Sequence, residues 1–208
     1  VVDDDRPIAG VILAGGRSRR MGSPKVLLPL PDGTFLIARV ASLLREVTSL
    51  VIVAGGGAEL AALAGDGVQH QPDLCPGEGP LAALEGVFAS RRASRYLVVA
   101  ADQPRLTASL LNRLVNSGSD SNEVPVCFGR VGILEPLPVM LPASFLPHLR
   151  SKIVAGVRSL RVFLQELNPM PLPLHSEEAH LLASLNAPRD YAGFFLEQLT
   201  STYARHHL

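Results

Sequence analysis

The chain has 208 residues, 47% of them hydrophobic, and its 19 basic and 19 acidic side chains cancel to zero net charge. This length suits one domain, and the composition is too apolar and too weakly charged for disorder. Zero net charge argues against a general nucleic-acid binder, which would normally show a basic excess, and no apolar run approaches the ~20 residues that cross a bilayer.

Pro7–Gly15 (PIAGVILAG) reads as a strand buried on both faces. No basic segment precedes it, so neither a secretory nor a twin-arginine leader is expected. A glycine-rich loop follows, then Asp32-Gly33, which predicts a tight turn. Leu36, Val40, Leu43, Leu44 and Val47 share one helical face, predicting a helix to about Val47. Ser49–Gly56 is a second buried strand, Glu59–Ala64 a short helix, Gly67–Asp73 a weaker strand, Cys75–Pro80 a loop and Leu81–Arg92 a helix. Arg95–Asp102 (RYLVVAAD) is a third buried strand that ends in an acid. Thr107 caps a helix to about Val115, with Leu110, Leu111 and Leu114 on its core face. "EVPVCFGRV" and "ILEPLPVMLP" read as two strands confined by their prolines to edges or bends. Helices are expected near Ala143–Arg150 and Val154–Glu166, a last strand at "PLPLH", and a closing helix over Pro188–Leu199, with Pro188 in its first turn. Strands alternating with helices predict an α/β fold: a doubly wound, mostly parallel sheet in three layers, forming a single domain over 1–208. Two cysteines without C-x-x-C spacing, Cys75 and Cys127, predict a reduced, cytoplasmic protein.

In such sheets ligands bind beyond the carboxyl ends of the strands. The loop "LAGGRSRRMGSPK" leaves the first strand there. Gly15 and Gly16 let backbone approach a ligand and expose its N–H groups, while Arg17, Arg19, Arg20 and Lys25 add positive charge, so the partner implied is a polyphosphate. The two standard phosphate motifs, G-x-x-x-x-G-K-[ST] and G-x-G-x-x-G, are both absent. A glycine-rich turn with solvated arginines is the bland alternative. Asp102, in "AADQP", also stands at a carboxyl edge, where a carboxylate can hold magnesium bridging phosphates. A turn aspartate is its plain reading. Convergence of both features on one crevice favours a site. Asp73 ends a strand before Gly77, Gly79 and Pro80 open a helix, whose start can face a phosphate or a base. Asn186 precedes the last helix, where a cap serves as well as a ligand role. The six histidines lack zinc-type spacing, no nucleophile elbow is present, and nothing near Cys75 supports it as a nucleophile.

"LAGGRSRRMGSPK" resembles the L-A-[GA]-G-x-S-x-R-M-G-x-x-K signature of the nucleotidyltransferases that mature molybdenum cofactor. "DQP" resembles their D-x-P, "GPLAAL" their G-P-L-A-G, "EPLPVML" one of their strands, and "LNAPRDYAGF" their N-T-P-E-[DE] ending; the matches run from Leu13 to about Phe194. The resemblance implies a Rossmann-like nucleotide-binding sheet. It also implies an enzyme that joins the nucleoside monophosphate of GTP to the terminal phosphate of molybdopterin, releasing pyrophosphate, with magnesium as cofactor. Molybdoenzymes or their chaperones would receive the product; no nucleic acid or membrane partner is expected. By position, Lys25, Asp102 and Arg20 would be catalytic, and Asp102 would hold the metal. Leu13, Ala14, Gly15, Gly16, Lys25, Asp73 and Asp102 would bind the nucleotide, and Gly79, Pro80 and Asn186 the acceptor. Pro24, where the guanylyl branch usually has an acid, Ala83 in place of glycine, and Gln103, commoner in the cytidylyl branch, depart from the pattern, whereas Gly15-Gly16 and "GPLAAL" favour the guanylyl branch. A CTP-using cytidylyltransferase and a related small-phosphate nucleotidyltransferase stand as alternatives. A non-enzymatic nucleotide-binding regulator is opposed by the retention of Lys25 and Asp102.

Overall fold

The computed structural model describes residues 7–14, 25–75, 77–117, 124–130 and 132–206. In chain order its elements are β1 (Ile8–Leu13), α1 (Leu36–Arg45), β2 (Leu50–Ala54), α2 (Ala58–Ala64), β3 (Gln69–Gln71), α3 (Pro80–Ala89), β4 (Arg95–Ala100), α4 (Ala108–Asn116), β5 (Val126–Arg130), β6 (Ile133–Pro142), α5 (Leu146–Val154), α6 (Leu160–Leu167), β7 (Met170–Pro173) and α7 (Pro188–His206). Short 3-10 turns at Lys25–Leu27, Ala143–Phe145 and Ser176–Leu182 complete the set. Among the described residues, no helix is long and apolar enough to cross a membrane.

The seven strands form one sheet in the order β3-β2-β1-β4-β6-β5-β7. All run parallel except β6, which lies antiparallel between β4 and β5. Side chains on successive strand residues point to opposite faces. Ala9, Val11, Ile52, Ala54, Tyr96 and Val98 therefore pack on one face with α3, α5 and α6. Ile12, Val51, Val53, Leu97 and Val99 pack on the other with α1, α2 and α4. The result is the three-layer, doubly wound α/β architecture expected. Each Val, Ile or Leu so buried contributes about 1.5–3 kcal/mol, which is why these strands read as nearly unbroken apolar runs. The chain moves from β1 outward to β3, then α3 carries it back to place β4 on the other side of β1. The connections leaving β1 and β4 thus diverge, opening a crevice at their carboxyl ends.

Two local expectations need correction. The prolines of β6 do not place it at an edge: on its side of the sheet the edge strand is β7, which carries Pro171 and Pro173. The reading of bends is right. Cys127 pairs with Val139 and Phe128 with Glu135, so Pro136, Leu137 and Pro138 bulge out of the β5 ladder, and the β4 ladder also stops at Val139. A bulge asks no N–H of a proline. The second correction concerns the boundary between α5, expected to end near Arg150, and α6, expected to begin at Val154. Val154 instead ends α5; Gly156, at φ +84°, lies just beyond it, a left-handed conformation cheap only for glycine. The Ser159 hydroxyl then accepts from the Val162 N–H at 3.4 Å and caps α6. The turn expected at Asp32-Gly33 is present, with Asp32 Oδ1 accepting from the Thr34 N–H at 2.9 Å and Gly33 at φ +81°.

Candidate active site

Leu13 and Ala14 lie at the carboxyl edge of β1, as expected, half-buried between β2 and β4. The Ala14 N–H donates to the Ala54 carbonyl at 3.1 Å, and the Ala101 N–H to the Leu13 carbonyl at 3.3 Å. Gly15, Gly16, Arg17, Arg19, Arg20 and Pro24, on which part of the expected phosphate loop rests, lie outside the described residues.

Lys25, at the end of that loop, starts a 3-10 turn. Its Nζ donates to Asp102 Oδ2 at 3.0 Å and to Asn186 Oδ1 at 2.9 Å. The side chains of Lys25 and Asp102 are only 17% and 22% exposed, so solvent screens their attraction less than that of a surface pair. Asp102 stands two residues beyond β4, and its backbone carbonyl accepts from the Leu185 N–H at 2.9 Å. Three residues singled out from the sequence, separated by up to 161 positions, thus meet in one hydrogen-bonded cluster.

Asn186 is not a helix cap here. The Asp190 carboxylate accepts from the N–H groups of Asn186 (2.9 Å) and Ala187 (2.8 Å). The Asn186 N–H above all, then that of Ala187, holds the Asp190 carboxyl below the usual carboxylate range. Asp190 was not singled out from the sequence; an acid four residues after an asparagine, in the first turn of a helix opened by proline, is the signal that could have found it.

Asp73, Gly79 and Pro80 lie outside the Lys25 cluster. Asp73, two residues beyond β3, accepts from the Cys75 N–H at 3.0 Å and shapes the loop before α3. Gly79 has φ +90°, and a Cβ there would stand 3.0 Å from the Arg158 carbonyl oxygen. Only glycine lets the start of α3 press so closely against the α5–α6 loop, where Glu78 pairs with Arg158. Pro80 occupies the first helical position, where its missing N–H costs nothing.

Gln103, considered a marker of base preference, is 4% exposed and committed to backbone. Its Oε1 accepts from the Ala100 N–H at 3.3 Å, and its Nε2 donates to the carbonyls of Leu137 (3.2 Å) and Leu182 (2.9 Å). The residue therefore braces the turn that carries Asp102 and does not read a base. Gln103→Leu keeps the volume but orphans these buried groups, at about 1–3 kcal/mol for each one left unsatisfied. Urea denaturation is expected to show the lower stability; an unchanged midpoint would contradict the brace.

The cysteines are both free. Cys75 is exposed; Cys127 is buried, and burial followed by the nearby Glu135 charge pushes its thiol up to about 11. A thiol so held is a poor nucleophile.

No group of three or more His, Cys, Asp or Glu side chains is arranged to hold a metal among the described residues. Instead one carboxylate and one amide carbonyl, both hard oxygens, converge on a single cation, the Lys25 ammonium. Such a set suits an ion of the magnesium type, which takes one or two carboxylates and completes its shell with phosphates and water. It does not suit a closed zinc site. A hollow of about 710 Å³ beside α7 shares Asp190 with this cluster but is lined by neither Lys25 nor Asp102.

Residues 10–170 match the MobA-like NTP transferase domain. The molybdenum cofactor guanylyltransferase of Xanthomonas euvesicatoria pv. vesicatoria is 31% identical over 196 residues, covering 90% of this chain and 94% of its own. Among solved structures, molybdopterin-guanine dinucleotide biosynthesis protein A from Archaeoglobus fulgidus shares the fold with a TM-score of 0.74 at 24% identity, over 89% of this chain and 95% of its own. A Mycobacterium tuberculosis protein solved in complex with manganese shares it at 0.66 and 20%, over 92% and 98%.

Proposed function

The chain belongs to the MobA-like NTP transferase family, and from that membership we propose that it transfers the guanylyl group of GTP to the terminal phosphate of molybdopterin, releasing pyrophosphate. The observation that carries this reading is the meeting of Lys25, Asp102 and Asn186 at the carboxyl end of the sheet. The guanylyltransferase relative supports guanine as the base.

In this reaction a phosphate oxygen of the acceptor attacks the α-phosphorus of GTP. A new P–O–P linkage forms, the α–β bridging bond breaks, and its electron pair leaves with pyrophosphate. The attacking phosphate is already ionised at neutral pH, so no protein base is required. Catalysis is positioning and charge stabilisation. Lys25 neutralises the β- and γ-phosphates, with Arg20 assigned to the same task. Leu13, Ala14, Gly15 and Gly16 line the nucleotide, Asp73 lies toward base and ribose, and Gly79, Pro80 and Asn186 face the acceptor. Asp102 and the Asn186 carbonyl would hold magnesium. When bound, the ion supplies positive charge to the reacting phosphates. Residues 1–208 act as one catalytic unit in the cytoplasm and hand the product to molybdoenzymes or their chaperones.

Pyrophosphate release with GTP and with CTP, each with molybdopterin and with other small phosphates as acceptor, tests the reading. Product carrying guanosine on molybdopterin is expected. Cytidine product would move the chain to the cytidylyl branch, and turnover only with another acceptor would remove molybdopterin. Lys25→Ala is expected to cost on the order of 1.5–3 kcal/mol of transition-state stabilisation through one lost charge-assisted phosphate contact. Lys152, paired with Glu166 on the far helices, is the control. Equal effects in kcat/KM at the two positions would take Lys25 out of the site.

A further inference from the structure

We infer that Asp190 is a positioning residue: it holds the turn before α7 so that the Asn186 side chain is presented to Lys25 and not spent on capping the helix. The inference rests on the nucleotidyl-transfer reading above.

Asparagine is among the best helix caps, and a helix start leaves N–H groups in need of an acceptor. Here Pro188 opens α7 and has no N–H to offer. The donors that remain just ahead of it, on Asn186 and Ala187, both go to one oxygen of Asp190, at 2.9 and 2.8 Å. The Asn186 side chain is turned away from its own helix. Its Oδ1 accepts from Lys25 Nζ at 2.9 Å, and its Nδ2 donates to the Ser184 carbonyl at 3.4 Å. The Leu185 N–H, one residue earlier, is bound to the backbone carbonyl of Asp102 at 2.9 Å. Asn186, Lys25, Asp102 and Leu185 therefore form a closed ring, and Asp190 holds that ring at the Asn186 N–H. In that ring the direction of the Lys25 ammonium is fixed by two oxygens, and one of those oxygens is fixed by Asp190.

The test compares Asp190→Ala, Asp190→Asn, Asn186→Ala and the Asp190→Ala/Asn186→Ala double variant. Binding of a non-hydrolysable GTP analogue by calorimetry is read beside kcat and KM. Asp190→Ala is expected to weaken analogue binding or kcat/KM by about tenfold to a hundredfold, the usual effect of misplacing a group that orients another. Asp190→Asn keeps an oxygen for the two N–H groups and is expected to recover most of that loss. The double variant is expected to match Asn186→Ala alone, since both substitutions break one pathway. Additive losses, an Asp190→Asn enzyme as impaired as Asp190→Ala, or an Asn186→Ala enzyme that binds and turns over like wild type would each overturn the inference. Wild-type protein that binds the analogue yet shows no guanylyl transfer sinks the functional reading instead, and the binding arm still decides the role of Asp190.

Discussion

Asp102→Asn is expected to lower kcat/KM by about 10²–10³-fold, the range found when a preorganised charge-stabilising group is removed from an active site. The substitution keeps shape and an oxygen that can accept from Lys25, which now sits 3.0 Å away. It removes the negative charge. The fold has little to lose, because the backbone carbonyl of Asp102 still receives the Leu185 N–H and Gln103 still braces the turn. A hard divalent cation prefers a carboxylate over a carboxamide, so the loss is expected to appear as weaker dependence on added magnesium or manganese. Calorimetry of manganese binding in the presence of a GTP analogue separates this from a general loss of activity. Turnover and metal affinity near wild type would remove Asp102 from the metal role.

The largest expected effect on stability is at Phe194. Its ring is fully buried in a small core of Leu28, Leu30, Leu36 and Leu185, where α7 docks on the segment that follows Lys25. The guanidinium groups of Arg105 and Arg39 stand 5.1 and 5.7 Å from its centroid, within cation–π range. Arg105 also forks onto Glu197 of the same helix, at 2.8 and 3.0 Å. Phe194→Ala is expected to cost about 3–5 kcal/mol in a denaturant titration, and Phe194→Leu much less, because the cavity term grows with the volume removed. Activity is expected to fall with stability in the alanine variant, since the same helix carries Asp190 and follows Asn186. A cost under about 1 kcal/mol, typical of an exposed site, would mean that the ring does not hold α7 in place.

Much of this protein is legible in the amino-acid sequence because local signals decide it. The apolar runs at Ile8–Leu13, Leu50–Ala54 and Arg95–Ala100 read as strands buried on both faces, and they lie side by side in the sheet. Thr107 ahead of three leucines in helical spacing marks the start of α4, and its hydroxyl does accept from the Leu110 N–H. The break between α5 and α6 is expected after Arg150 but falls a few residues later, where Gly156 and Ser159 mark it. The 3-10 turns carry no period long enough to be read.

The residue types needed for phosphate chemistry, Lys25, Asp102 and Asn186, are visible as motifs. That Asn186 faces Lys25 and not its own helix is invisible in one dimension, because the choice depends on Asp190 taking both N–H groups ahead of Pro188. Gln103 is likewise ambiguous as a letter: a polar residue beside an acid reads as part of a site. Only its burial, with three backbone partners from β4, β6 and the turn before Ala183, makes it a brace. The placement of β6 inside the sheet follows the same logic, since a bulge that excuses prolines can be recognised only against its neighbouring strands. Hydrophobic period and capping residues act over one or two helical turns, so the sequence alone determines them. The partner of a polar side chain is settled by competition among donors and acceptors that come together only after the core has packed, and that competition is decided in the tertiary structure.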